Sequence, residues 1–117
     1  MTNDTVTLYR PVGEAELALI RGTGGRAFPP RLPEQPIFYP VLTEAYAIEI
    51  ARNWNARGGC TGYVTRFQIR ADYLARWEVR TVGAAHHQEL WIPAEQLNEF
   101  NDNIVGTIDV IAEFSSP

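Results

Sequence analysis

The order of apolar and polar residues lays out the elements of this chain one after another. From Thr5 to Arg10, β-branched and aromatic residues stand between polar ones, and Pro11 and Gly13 follow as punctuation, which predicts a strand. Glu14–Arg21 has a short helical pattern, with acids in its first turn and Gly22 just past its end. Residues 22–40 hold Gly22, Gly24, Gly25 and Arg26, then Pro29, Pro30, Pro33, Pro36 and Pro40. So long a loop in a small domain is uncommon and often functional, and the prolines make it stiff. Within it, Ile37-Phe38-Tyr39 has the composition of a short strand. Thr43 is suited to cap a helix running to about Asn55, with Tyr46, Ala47, Ile50, Ala51 and Trp54 on one face and Gly58-Gly59 ending it.

From Thr61 the period changes to two, so Tyr63, Thr65, Phe67 and Ile69 share one face of a strand. Asp72–Leu74 reads as a turn or a single helical turn, and Trp77–Val82 and His87–Ile92 as two further strands. Pro93 stops the second of these and can open a helix over Ala94–Phe100. The last strand, Ile104–Phe114, alternates throughout, with Ile104, Gly106, Ile108, Val110, Ala112 and Phe114 against Val105, Thr107, Asp109, Ile111 and Glu113. About six mainly antiparallel strands and three short helices make an α+β fold, read as one domain over residues 1–117.

Composition narrows the chemistry by what is missing. The ten basic residues are all arginine, so there is no lysine for a Walker phosphate loop or a Schiff base. Ser115 and Ser116 are the only serines, which disfavours a serine nucleophile, and the single cysteine, Cys60, excludes an intrachain disulfide and a Cys-rich zinc site. The net charge of −4 is uneven: residues 1–83 carry ten Arg against eight acids, and residues 84–117 carry six acids and no Arg. An acidic chain without a basic cluster is a poor general nucleic-acid binder, although scattered arginines can hold a small phosphorylated ligand. Met1-Thr2-Asn3-Asp4 shows no signal-peptide pattern and no apolar run is long enough to span a bilayer, so the expectation is a cytoplasmic protein without membrane contact.

Four groups of residues are candidates for chemistry. Arg10 follows Val6 and Leu8 on the apolar face of the first strand, where a guanidinium needs a partner: a protein carboxylate or a ligand phosphate. In His87–Ile92, Leu90 and Ile92 claim the core, which leaves His87, Glu89 and Trp91 together on a surface or cleft face. A carboxylate between an imidazole and an indole can do acid–base or electrostatic work, or can be an ordinary paired surface group. Tyr39 and Tyr46 can anchor the core or stack on a planar ligand. His86 and His87, as strand neighbours, should point to opposite faces, so no metal is expected there.

The order Leu8-Tyr9-Arg10, short helix, Phe38-Tyr39, helix and late strand with Glu89 resembles the ADP-ribosyltransferase fold. Nearly the whole chain also resembles a group of small bacterial proteins labelled ADP-ribosylation-related. The matching stretches are Leu8–Gly13, Phe28–Pro33, Gln35–Leu42 and Glu89–Glu95 with Phe100-Asn101. The resemblance implies NAD as substrate: Arg10 on its phosphates or ribose, Tyr39 or Tyr46 stacked on nicotinamide, Glu89 catalytic at the nicotinamide ribose, and His87 positioning the acceptor. Where many such enzymes carry serine in the middle motif, this chain has Phe38-Tyr39-Pro40, and two residues before the catalytic Glu it has His87 rather than Glu or Gln. The acceptor, a protein or a small molecule, is therefore left open. A non-catalytic interaction module on the same fold and an NAD glycohydrolase are the alternatives. The enzyme readings share one requirement, that Arg10 and Glu89 open onto the same cleft.

Overall fold

In chain order the elements are β1 (Thr5–Gly13), α1 (Glu14–Gly22), β2 (Ile37–Phe38), α2 (Glu44–Ile50) continued by a π-helical turn (Ala51–Asn55), β3 (Thr61–Arg70), α3 (Ala71–Leu74), β4 (Arg80–Thr81), β5 (Gln88–Glu89), β6 (Ile92–Pro93), a 3₁₀ turn (Ala94–Gln96), α4 (Leu97–Asp102) and β7 (Ile104–Ser115). This computed structural model describes residues 4–115, so the expectations for Met1–Asn3 and for Ser116 lie outside it. The α+β class holds, with seven strands and four α-helices among the described residues where about six and three were expected. The extra strand arises because His87–Ile92 is two pieces, β5 and β6, and the extra helix is α3.

β1 and β3 pair antiparallel from Thr5↔Arg70 to Gly13↔Gly62, and β7 runs antiparallel along the far side of β3. Tyr9↔Val41 and Val41↔Glu89 carry the pairing outward from β1. Phe38↔Ile92 and Ile37↔Pro93 continue the Val41↔Glu89 register without a slip, so residues 37–41 and 88–93 form one ladder, with β4 beyond β5. The prolines of β1 and of the loop explain where this sheet parts. Tyr9 exchanges both backbone hydrogen bonds with Val41, at 2.9 and 2.8 Å. Two residues on, Pro11 has no N–H to give the Tyr39 carbonyl. Arg10 Nη1 donates to that carbonyl instead, at 3.1 Å, and β1 and residues 37–39 separate around the guanidinium.

Strand alternation puts a different core on each face of the sheet. On one, Leu8, Val12, Phe67 and Ile69 pack with Leu17 and Ile20 of α1 and with Phe28, Phe38, Leu90, Ile92 and Phe100. On the other, Val41 and Val64 pack with Ala47 and Ala51 of α2 and its π turn. Leu90 and Ile92 are fully buried on the first face, as the alternation of His87–Ile92 requires.

The sequence pattern misleads at four places. β1 runs through Pro11 to Gly13 rather than stopping at Arg10, because Pro11 sits where the outer strand has already peeled away. Trp54 is not on the buried face of its helix but 64% exposed. The Ala56 N–H reaches the Ala51 carbonyl at 3.0 Å, one residue further back than an α-helix allows, so residues after Ala51 are rotated relative to the 3.6-residue pattern. Trp77–Val82 pairs only over Arg80–Thr81: Trp77 packs on the first core, but the side chains of residues 78–82 are exposed and have no core to hold a longer strand. β7 does not alternate cleanly, because the register slips between Val64 and Thr65 and again between Arg66 and Gln68. Ile104 and Ile108 therefore face the first core while Ile111, Ala112 and Phe114 face the second, and Val110 is exposed.

Candidate functional site

Glu89 is opposite Val41 in the ladder and opposite Arg80 in the β4–β5 hairpin, so all three side chains share the sheet face covered by α2. The Glu89 carboxylate is held at both oxygens: the Tyr46 hydroxyl donates to Oε2 at 3.0 Å and the Trp91 indole N–H to Oε1 at 2.7 Å. The Arg80 guanidinium lies over the Trp91 ring, 4.2 Å from its centroid, and Tyr39 meets the same indole edge-on at 6.4 Å. Tyr39 and Trp91 are each 40% exposed, so this patch offers aromatic surface beside a carboxylate.

α2 supplies the other wall. Thr43 caps it, its Oγ1 accepting from the Tyr46 N–H at 3.2 Å and donating to the His86 carbonyl at 3.0 Å, which ties the helix start to the turn before β5. One turn on, Glu49 receives both imidazoles, His87 Nε2 at 2.7 Å and His86 Nε2 at 3.2 Å. His87 also stacks on Tyr46, with ring centroids 4.5 Å apart and planes within 25°. Burial, and then the hydrogen bond to the Glu89 carboxylate, push the Tyr46 phenol up to about 12. The hydrogen bonds from His87 and His86 hold the Glu49 carboxyl below the usual carboxylate range.

Arg10 belongs to the opposite face. Its Nε and Nη2 grip Glu16 of α1 at 2.7 and 3.0 Å, Nη1 takes the Tyr39 carbonyl, and the guanidinium carbon sits 4.5 Å from the centre of the Phe38 ring. The carboxylate partner is thus the one the fold supplies, and Arg10 and Glu89 do not open onto one cleft. Tyr39, Tyr46, His87 and Glu89 do come together. Next to the Arg10–Glu16 pair, a cleft of about 350 Å³ is lined by Glu16, Leu19, Pro29, Pro30, Arg31 and Gln35, among others. The Nε of Arg31 is buried there without a hydrogen-bond partner, and burial, then the like charge of Arg10, lower the pKa of this guanidinium.

The expectation that His86 and His87 point to opposite faces fails because residues 82–87 turn rather than run extended, so both rings swing toward Glu49. Sequence reasoning missed Glu49, Glu16 and Arg80. Arg80 had a usable signal: two adjacent strand patterns joined by a short link imply a hairpin, and the hairpin sets Arg80 opposite Glu89. Glu16 and Glu49 had none beyond being acids in helices. Among the described residues no helix is long and apolar enough to cross a membrane. Comparison of the chain with family models, with curated proteins and with solved structures finds no match.

Proposed function

We propose that the α2 face around Glu89 is an NAD site of ADP-ribosyltransferase type. The observation that carries this reading is the Glu89 carboxylate, oriented by Tyr46 and Trp91 within a half-exposed aromatic patch and facing Arg80 across the hairpin. When the bond between nicotinamide nitrogen and ribose carbon breaks, its electron pair leaves with nicotinamide and positive charge develops on the ribose. Glu89 stabilises that charge, and two fixed donors hold it in place before the reaction begins. Tyr39, and the face of Trp91 that Arg80 does not cover, provide the aromatic surface for a planar base. One face of Tyr46 is already taken by His87, so its role is to aim Glu89. His87, stacked on the same Tyr46 that holds Glu89, is assigned to positioning the acceptor. The requirement that Arg10 share a cleft with Glu89 is not met, since Arg10 is spent on Glu16 behind the sheet; the reading therefore rests on Arg80, opposite Glu89 on its own face, taking the cationic role toward the diphosphate. Transfer to water instead of a protein or small-molecule acceptor gives NAD glycohydrolase activity from the same step.

The test is NAD titration with mass spectrometry of released nicotinamide. Wild type should bind NAD and release nicotinamide above background. Glu89→Gln should lose about 10²–10³ in rate while binding NAD almost as well, because the contact strengthens mainly in the transition state. His87→Ala should lose less. Absence of NAD binding at millimolar concentration would remove the enzyme reading. The placement of Arg10 and Glu89 on opposite faces favours a second reading, a non-catalytic module that presents the same aromatic patch to a partner.

A further inference from the structure

We propose that Glu49, His86 and His87 form a site for a divalent transition metal, Zn²⁺ above all, with one coordination position left to solvent. Two imidazole nitrogens and a carboxylate oxygen lie within 4.8 Å of one another. Zinc bonds to such donors are about 2.0–2.2 Å long, which in tetrahedral geometry separates neighbouring donors by roughly 3.4 Å. His87 Nε2 lies 2.7 Å from one carboxylate oxygen and His86 Nε2 3.2 Å from the other, so a small outward shift of the donors opens the space an ion needs. Two imidazoles with one carboxylate suit zinc or its neighbours in the first transition row, and do not suit Mg²⁺ or Ca²⁺, which take all-oxygen sets.

The three ligands are placed by independent constraints. Glu49 is fixed by the α-helix. The turn carrying His86 is fastened by the Thr43 hydroxyl. The ring of His87 is stacked on Tyr46 and meets Gly83 at its Nδ1 edge, where a Cβ would lie 2.7 Å from Nδ1, so glycine is what lets the imidazole sit there. All three side chains are 26–43% exposed, which leaves an ion free access and room for a water in the fourth position. Without metal, the Ala84 N–H faces His87 Nδ1 at 3.3 Å, which assigns the ring proton to Nε2 and directs it at Glu49. Binding through Nε2 moves the ring proton of each histidine to Nδ1 and frees both Nε2 lone pairs for the metal; at His87 the Nδ1–H then opposes the Ala84 N–H, so that 3.3 Å contact opens and Ala84 turns to solvent. The metal then replaces two N–H···carboxylate bonds with two bonds to nitrogen and one to oxygen.

This inference does not depend on the NAD reading, and its test uses metal alone. Chelator-stripped protein is titrated with Zn²⁺ by calorimetry, and the histidine ring nitrogens are followed by NMR. One Zn²⁺ should bind per chain, with the Nε2 signals of both histidines shifting, and a large excess of Mg²⁺ should not compete. Glu49→Gln and His87→Ala should each weaken binding by tenfold or more. Gly83→Ala, which keeps every ligand but crowds the imidazole, should weaken it by about 10–100-fold, as loss of ligand support does. Cys60→Ser should bind as wild type, because the exposed thiol is not a ligand. The proposal is overturned by no saturable binding below millimolar Zn²⁺, by loss of binding in Cys60→Ser, or by affinity unchanged in Glu49→Gln and His87→Ala. If one of those two variants does not fold, the other decides.

Discussion

Replacing Arg10 by lysine separates a structural guanidinium from a ligand-binding one. Arg10 makes three hydrogen bonds, two to Glu16 and one to the Tyr39 carbonyl, and the paired side chains are only 9% and 20% exposed, so water screens them little. A lysine keeps the charge and one contact to Glu16, but it has no fork. It loses one arm of the Glu16 pair, and the Tyr39 carbonyl at the parting of the sheet is left without its donor. Hydrogen bonds to charged groups contribute about 1.5–3 kcal/mol each and partial recovery by the ammonium is expected, so the net loss should be about 2 kcal/mol. For 117 residues the unfolding entropy near 60 °C is about 0.25 kcal/mol/K, so this is a fall of about 8 °C in Tm. Urea unfolding should show a lower midpoint at unchanged slope, since the variant unfolds the same surface. NAD affinity measured below the melting range should match wild type. A melting temperature within about a degree of wild type, together with a lost ligand effect, would instead assign Arg10 to the ligand.

Gly62→Ala should destabilise by about 1–3 kcal/mol in the same unfolding assay, because a Cβ there strikes the Ala51 carbonyl and lies 2.8 Å from Asn55 Cβ, where helix backbone cannot easily retreat. Thr43→Ala should cost about 1 kcal/mol through the lost cap and should also loosen the His86 turn, seen as faster amide exchange there. The Tyr46 phenol, followed by ultraviolet titration, should lose its proton near 12, and Glu89→Gln should lower that value only part-way, since burial is the larger cause. Its folded value lies above the ordinary tyrosine value of about 10, so the stabilisation is complete below pH 10 and is lost as pH rises from there to about 12.

Elements with a strong period were legible in the chain. β3 shows Tyr63, Thr65, Phe67 and Ile69 on one face, α2 begins at its threonine cap, and Leu90 and Ile92 point inward and leave Glu89 and Trp91 outside. Each depends on residues within a few positions of one another, and local sterics and burial decide them. Where the period is broken by a local insertion, the pattern fails. The π turn carries Trp54 out to solvent, and the two register slips divide β7 between the two cores. Neither shows in the local pattern; the π turn lies directly over Gly62 of β3, where only a glycine leaves room for the Ala51 carbonyl.

The candidate site divides along the same line. That Glu89 shares a face with Trp91 is a property of strand geometry, and so is that Arg10 stands on an apolar face; both are readable from the chain. Folding alone sets these faces opposite, brings Glu16 to neutralise Arg10, closes Tyr46 and Trp91 on Glu89, and gathers onto Glu49 two histidines from a turn 37 and 38 residues away. The reason is that charges and hydrogen-bonding groups act over a few ångströms of space whatever their separation along the chain. Alternation fixes which way a side chain points, and the packing of α1 and α2 on the two sides of the sheet fixes what it meets.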